Sequence, residues 1–162
     1  MLSHLDNKGN AKIVDISGKK ISSRIAKASG KISISQDVLN QINLKKNKKG
    51  DIFTVSKIAG IMAAKKTSGL IPLCHQINLE DILINFELDE EKKYISVTSS
   101  IKCKEKTGAE MEALIAASIS LLTIYDMCKA IDSNMVIYDI KLIEKSGGKK
   151  IKKLIVNKWI II

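Results

Sequence analysis

One stretch constrains this chain more than any other: "TGAEMEALIAASISLLTIYDMCKAID", residues 107–132. It reads as a single long helix. Thr107 or Gly108 leads in, and Glu110 and Glu112 suit the positive end of the helix dipole. From Leu114 to Met127 the helix is apolar nearly all round. Such a helix must be covered on more than one side. A sheet of the same domain supplies one cover, and a second subunit is a natural source of the other.

The flanking segments supply that sheet. In "ILINFEL" (82–88), Ile82, Ile84, Phe86 and Leu88 alternate with other residues. In "YISVTSSIKCK" (94–104), Ile95, Val97, Ile101 and Cys103 share one face. "DEEKK" (89–93) is a hairpin turn between the two strands. "MVIYDIKLIEK" (135–145) predicts a last strand, with Val136, Tyr138, Ile140 and Leu142 alternating. "KISIS" (31–35) predicts a short first strand, and "QDVLNQIN" (36–43) a short helix. "DIFTVSKIAGIMAAKKT" (51–67) predicts another helix, with Ile52, Val55, Ile58, Ala59 and Met62 at three- and four-residue spacing and Asp51 at its start. Glycine and proline in "SGLIPLCHQ" (68–76) end it.

The order is β-α-β-β-α-β, which predicts an α+β, ferredoxin-like fold: an antiparallel sheet with both main helices on one face. A chain of 162 residues fits one domain. We place that domain at residues 1–150, with its first 30 or so weakly patterned, and a basic and apolar tail at 151–162.

A formal charge of +10 attracts anions: nucleic acid, acidic membrane or a phosphorylated small molecule. Three cysteines, Cys74, Cys103 and Cys128, have no CxxC spacing. This argues against a disulfide framework or zinc ribbon and suits a reducing cytoplasm. The polar N-terminus has no apolar signal region, and no apolar run reaches the length of a membrane span. With His4 and His75 as the only histidines, a histidine-rich metal site is not expected.

Asp126 and Lys129 are three residues apart at the end of the long helix. Spacing alone favours an intrahelical salt bridge, with Lys129 also complementing the dipole. The apolar flanks Ile119 and Leu122 open the alternative of a partly desolvated acid–base pair. "PLCH" (72–75) sets a thiol beside an imidazole, but adjacent loop residues usually point apart. His75 reads either as a satisfied loop histidine or as a ligand for an anion. "KNKKGD" (46–51) and "KSGGKK" (145–150) are basic, glycine-containing loops; each taken alone reads first as a solvated loop and second as a phosphate site, and neither is a P-loop.

Several stretches together resemble the cyclic pyranopterin monophosphate synthases of molybdenum cofactor biosynthesis, the MoaC family. They are "KGD" (49–51), "IAGIMAAKKT" (58–67), "LIPLCH" (70–75), "KTGAEMEALIAAS" (106–118), "LTIYDMCKA" (122–130) and "KSGG" (145–148). "IVDIS" (13–17) and Arg24 fit more loosely. The likeness runs over residues 3–150 in one register.

The resemblance implies a lyase that converts (8S)-3',8-cyclo-7,8-dihydroguanosine 5'-triphosphate to cyclic pyranopterin monophosphate and releases diphosphate. It implies a ferredoxin-like fold in a homohexamer built from dimers, with sites at subunit interfaces. It assigns Asp126 and Lys129 as a catalytic acid–base pair, with Lys49 as a further catalytic group. It assigns Leu73, Cys74, His75, Met111, Glu112, Lys65, Lys145 and Arg24 to the substrate. It implies no resident cofactor or metal, leaving room for a magnesium ion on the triphosphate, and neither a nucleic-acid nor a membrane partner. Glu112 and Asp126 are fourteen residues apart, so roughly 21 Å along one helix at ~1.5 Å per residue. One small substrate cannot reach both within one chain, so the two groups are expected to meet across an interface. Gln76 departs from the family, which usually has proline there. The alternative is a non-enzymatic nucleic-acid or nucleotide binder on a ferredoxin-like sheet. The strands lack the aromatic pair and the RNP-like motif that nucleic-acid binding would need.

Overall fold

The computed structural model describes residues 3–44, 51–147 and the backbone of 152–153. Its elements run β1 (Ser22–Ser33), α1 (Gln36–Asn43), α2 (Ile52–Lys65), α3 (Thr67–Leu70), β2 (Leu79–Asp89), β3 (Tyr94–Glu105), α4 (Glu110–Cys128), β4 (Ile137–Ser146) and β5 (Lys152–Lys153). The sheet order is β2-β3-β1-β4-β5, with every neighbouring pair antiparallel. β1 to β4 with α2 and α4 form the expected α+β ferredoxin-like arrangement, helices on one face. β5 adds two residues of the predicted tail to the edge of β4, and the rest of that tail lies outside the described residues.

The central strands explain why the sheet is firm. On β3, Ile95, Val97, Ile101 and Cys103 are fully buried, as their alternation predicts. The position between them is Ser99, also buried, where α4 presses onto the sheet. Its hydroxyl donates to the Ala113 carbonyl at 2.7 Å, so the buried polar group is satisfied. β1 starts nine residues earlier than predicted and ends at Ser33. Its inward face is Ala26, Ala28, Gly30 and Ile32, too small for a hydrophobic alternation to stand out. The small residues are required by what lies above: a Cβ on Gly30 would come within 2.7 Å of Leu121 Cδ1.

Two other readings are corrected. Val136, just before β4, and Tyr138 and Ile140 on it are exposed, and Ile137 and Leu142 pack on the core. Register shifts opposite Lys27/Ala28 and Ser29/Lys31, with Asp139 at φ 55°, move the alternation out of phase. On α2, the buried face is Ile52, Ser56, Gly60, Ala63 and Ala64, whereas Val55, Ile58 and Met62 are exposed. The small residues face inward because α2 crosses α4 closely: a Cβ on Gly60 would lie 2.9 Å from the Ala116 carbonyl oxygen.

α4 is 19 residues long and apolar enough to span a membrane by length and composition, contrary to the sequence expectation. Half of its apolar stretch is buried inside the domain. Its second cover is α2 of the same chain, which supplies part of what the sequence assigned to another subunit. Leu122 remains exposed.

Candidate active site

Strand register sorts the candidate residues onto two ends of the molecule. At one end, Ser22 faces Glu105, Arg24 faces Cys103, Cys103 faces Leu79, and Lys145 faces Ala26. β3 runs out there and α4 begins. α2 is antiparallel to α4, since Ser56 and Gly60 meet Ser120 while Gly60 also meets Ala116. The last turn of α2, with Lys65, and the loop carrying Leu73, Cys74 and His75 therefore reach this same end. The opposite end holds the end of α4, with Asp126 and Lys129, and the start of α2.

The first end opens into a cleft of about 740 Å³ lined by Arg24, Lys106, Glu110 and Lys145 together with Lys19 and Lys20. Arg24 donates from Nε to the Glu105 carbonyl at 2.8 Å and from Nη2 to the Lys106 carbonyl at 3.1 Å. These bonds lock the guanidinium against the end of β3. Lys145 is ion-paired with Glu110 at the first turn of α4. Gly147 follows at φ 89°, and a Cβ there would collide with the Ser23 carbonyl oxygen. Only glycine lets the end of β4 lie this close to β1, which explains the glycine after Lys145.

Glu112 is buried behind this cleft at 4% exposure. Burial raises its carboxyl above the ordinary value, Glu110 adds to the rise, and its own amide N–H opposes it. The Cys74 thiol is raised by burial and then by Glu112 and Glu110. A thiol held protonated is a poor nucleophile. His75 Nε2 sits 2.7 Å from the Val14 carbonyl oxygen, so it is committed to the N-terminal segment rather than to Cys74. The adjacent thiol and imidazole are thus not a catalytic dyad. Lys106 Nζ donates to the Ser17 carbonyl at 2.9 Å, fastening the same segment. Met111 is half-buried beside Glu112. Leu73 is half-buried, and Lys65 is exposed outside the lining of the cleft.

At the far end, Lys129 Nζ and Asp126 Oδ1 form an ion pair at 2.7 Å. Hydrogen bonding to Asp126 raises the Lys129 ammonium. The side chains are 54% and 62% exposed, so within one chain Asp126 is not the partly desolvated acid expected from its apolar flanks. α2 does not cover this face of α4, where Leu122 is also open. Asp51 caps α2, accepting from the Phe53 amide at 3.1 Å and from Thr54 Oγ1 at 2.5 Å. That gives the aspartate of "KGD" a structural task. Lys49 itself lies outside the described residues.

One chain therefore gathers Arg24, Cys74, His75, Glu112 and Lys145 but leaves Asp126 and Lys129 about 21 Å or more away along α4. The cleft also contains groups that sequence reasoning did not single out: Lys19, Lys20, Lys106 and Glu110. "SGKK" at 17–20 carried the same signal, glycine beside lysines, as the two loops that were noted. Among the described residues no group of three or more His, Cys, Asp or Glu could hold a metal ion.

Known proteins are similar to this chain over most of its length. Residues 13–148 match the model of the MoaC family. The cyclic pyranopterin monophosphate synthase of Magnetococcus marinus is 49% identical over 148 residues, 91% of this chain and 91% of that protein. The enzyme of the same name from Clostridium perfringens strain SM101 is 51% identical over 148 residues, 91% of this chain and 94% of that one. The molybdenum cofactor biosynthesis protein moc-5 of Caenorhabditis elegans is 48% identical over 149 residues, which are 92% of this chain and 25% of that longer protein. The chain belongs to the MoaC family.

Proposed function

We propose that the chain is a cyclic pyranopterin monophosphate synthase of molybdenum cofactor biosynthesis, a lyase. It converts (8S)-3',8-cyclo-7,8-dihydroguanosine 5'-triphosphate to cyclic pyranopterin monophosphate and releases diphosphate. The observation that carries this reading is identity near one half to synthases matched over nine-tenths of both chains.

The cleft supports the phosphate half of the reaction. A hydroxyl of the substrate forms a bond to the α-phosphorus and gives its proton to water, the bond from that phosphorus to the bridging oxygen breaks, and diphosphate leaves with the electron pair. Arg24 and Lys145 hold the triphosphate in the cleft, and Lys65, exposed at the same end of the molecule, adds positive charge for the departing diphosphate. Glu112, whose carboxyl is raised above its ordinary value by burial, contacts the substrate beside Met111. Leu73, Cys74 and His75 line the approach. Asp126 and Lys129, with Lys49, move protons during the ring rearrangement, and they reach the cleft from a second subunit of a homohexamer built from dimers. The exposed Asp126–Lys129 pair and the exposed Val55, Ile58 and Met62 face of α2 are available for that interface.

No cofactor takes part in this scheme, and a magnesium ion on the triphosphate is compatible with it. Three free cysteines suit the cytoplasm. The open face of the sheet presents Lys27, Ser29, Lys31, Tyr94, Ser96 and Thr98 along β1 and β3, with Tyr138 of β4 opposite Lys31; two tyrosines without an RNP-like motif give the nucleic-acid binder no specific support.

The test supplies purified protein with the cyclised dihydro-GTP and measures diphosphate and the cyclic pterin. Both products should appear in equal amounts. No turnover of intact substrate would defeat the enzyme reading.

A further inference from the structure

Residues 13–20 lie at the mouth of the cleft with almost no apolar anchorage. Only Val14 and Ile16 are half-buried there, and the rest are exposed. The segment keeps its shape through polar ties. Asp15 Oδ1 accepts from the Ser17 amide at 2.8 Å, and the Lys19 amide donates to the Ile16 carbonyl at 3.0 Å, closing a tight turn. Two ties join that turn to the domain. His75 Nε2 meets the Val14 carbonyl at 2.7 Å, and Lys106 Nζ donates to the Ser17 carbonyl at 2.9 Å. Directly beyond the turn, Lys19 and Lys20 line the cleft beside Arg24 and Lys145.

We infer that Lys106 is a positioning residue: by holding the Ser17 carbonyl it fixes the turn that presents Lys19 and Lys20 to the polyphosphate end of the substrate. A segment with so little buried apolar surface opens readily unless such ties hold it. A lysine on a loose segment loses ordering entropy when it meets a phosphate, and one on a fixed turn loses less. Lys106 thus acts on the anion through the segment. The identity of the anion rests on the function proposed above, and the tie itself does not.

The experiment uses the full chain and inorganic tripolyphosphate as the probe. Hydrogen exchange is followed at the Ser17 and Lys19 amides, and tripolyphosphate affinity by calorimetry. In Lys106→Met both amides should exchange about tenfold faster while β1 is unchanged, and affinity should fall about tenfold. Lys106→Arg keeps a donor and should restore both. The double variant Lys19→Met/Lys20→Met should also bind weakly, and adding Lys106→Met to it should weaken binding little further. Unchanged protection in Lys106→Met would overturn the inference. So would additive losses, which would make Lys106 a phosphate ligand in its own right, or no tripolyphosphate binding by the wild type. Turnover of the cyclised substrate separates the two ideas. A protein that turns over but shows none of these couplings fails this inference alone. One that shows the couplings without turnover fails the function alone.

Discussion

Glu112 is a carboxylic acid placed where its ionised form is disfavoured. Burial raises its folded value above the ordinary 4.5, so the folded state holds the proton more tightly than the unfolded chain. The stability this proton confers is complete below 4.5 and is lost as pH rises through the raised folded value. Glu112→Gln removes that loss. Urea melts should show the variant more stable than the wild type at pH 7.5 and no more stable at pH 4, whereas its turnover should drop. Equal stabilities at both pH values would mean that the carboxyl is not desolvated in solution. Lys129 is the opposite case, an exposed ammonium in a surface pair. Lys129→Ala should leave the melting temperature where it is and cut turnover by roughly 10²–10⁴-fold. An unfolded variant whose remaining folded fraction keeps full activity would reduce the pair to a salt bridge. At this scale the sequence disclosed the contact between Asp126 and Lys129, which their spacing predicts, but not its exposure. It was silent on Glu112's burial and on the lysines at 19, 20 and 106, because ordinary surface lysines look the same until the chain is folded around a cleft.

Element by element, legibility followed side-chain size. β3 was readable because its inward residues are large and aliphatic. β1 was not, because α4 lies so close that Ala26, Ala28 and Gly30 are what fits. The same close packing hid the true face of α2. A hydrophobic period points to Val55, Ile58 and Met62, yet the seam with α4 is made of Ser56, Gly60, Ala63 and Ala64. Small residues let two helix backbones approach, and hydrophobicity scales do not reward that. This yields a prediction for the seam. A Cβ at Gly60 would come within 2.5 Å of Ile84 Cδ1 and 2.9 Å of the Ala116 carbonyl, and would run into Ser120 Oγ. The carbonyl belongs to α4's backbone and cannot rotate away. Gly60→Ala should therefore destabilise the fold by about 1–3 kcal/mol in chemical denaturation, against the general benefit of replacing helical glycine by alanine. A stabilised variant would show that the seam is looser than described.

The whole molecule poses the largest question, since α4 separates the groups that the proposed reaction would draw on. Arg24, Glu112 and Lys145 are at its start, and Asp126 and Lys129 are at its end. No rotamer change spans roughly 21 Å, so under the proposed assignment of residues a single chain would hold two half-sites instead of one site. In the two-fold dimer proposed above, each half-site would be completed by the other subunit, and every dimer would carry two such sites. Subunit mixing tests this directly. Lys145→Ala disables the cleft, and Lys129→Ala disables the acid–base end. Each variant alone should be nearly inactive, because every composite site then lacks one half. After co-refolding in equal amounts, half of the dimers pair unlike subunits. In those, one site collects both defects and the other collects none. Activity should then return to about a quarter of the wild-type value, the statistical share of intact sites under two-fold symmetry. If the site were complete within one chain, mixing two inactive chains would restore nothing. Recovery that requires subunit exchange, and is absent when intact variants are combined without it, would distinguish shared sites from contamination by wild-type protein.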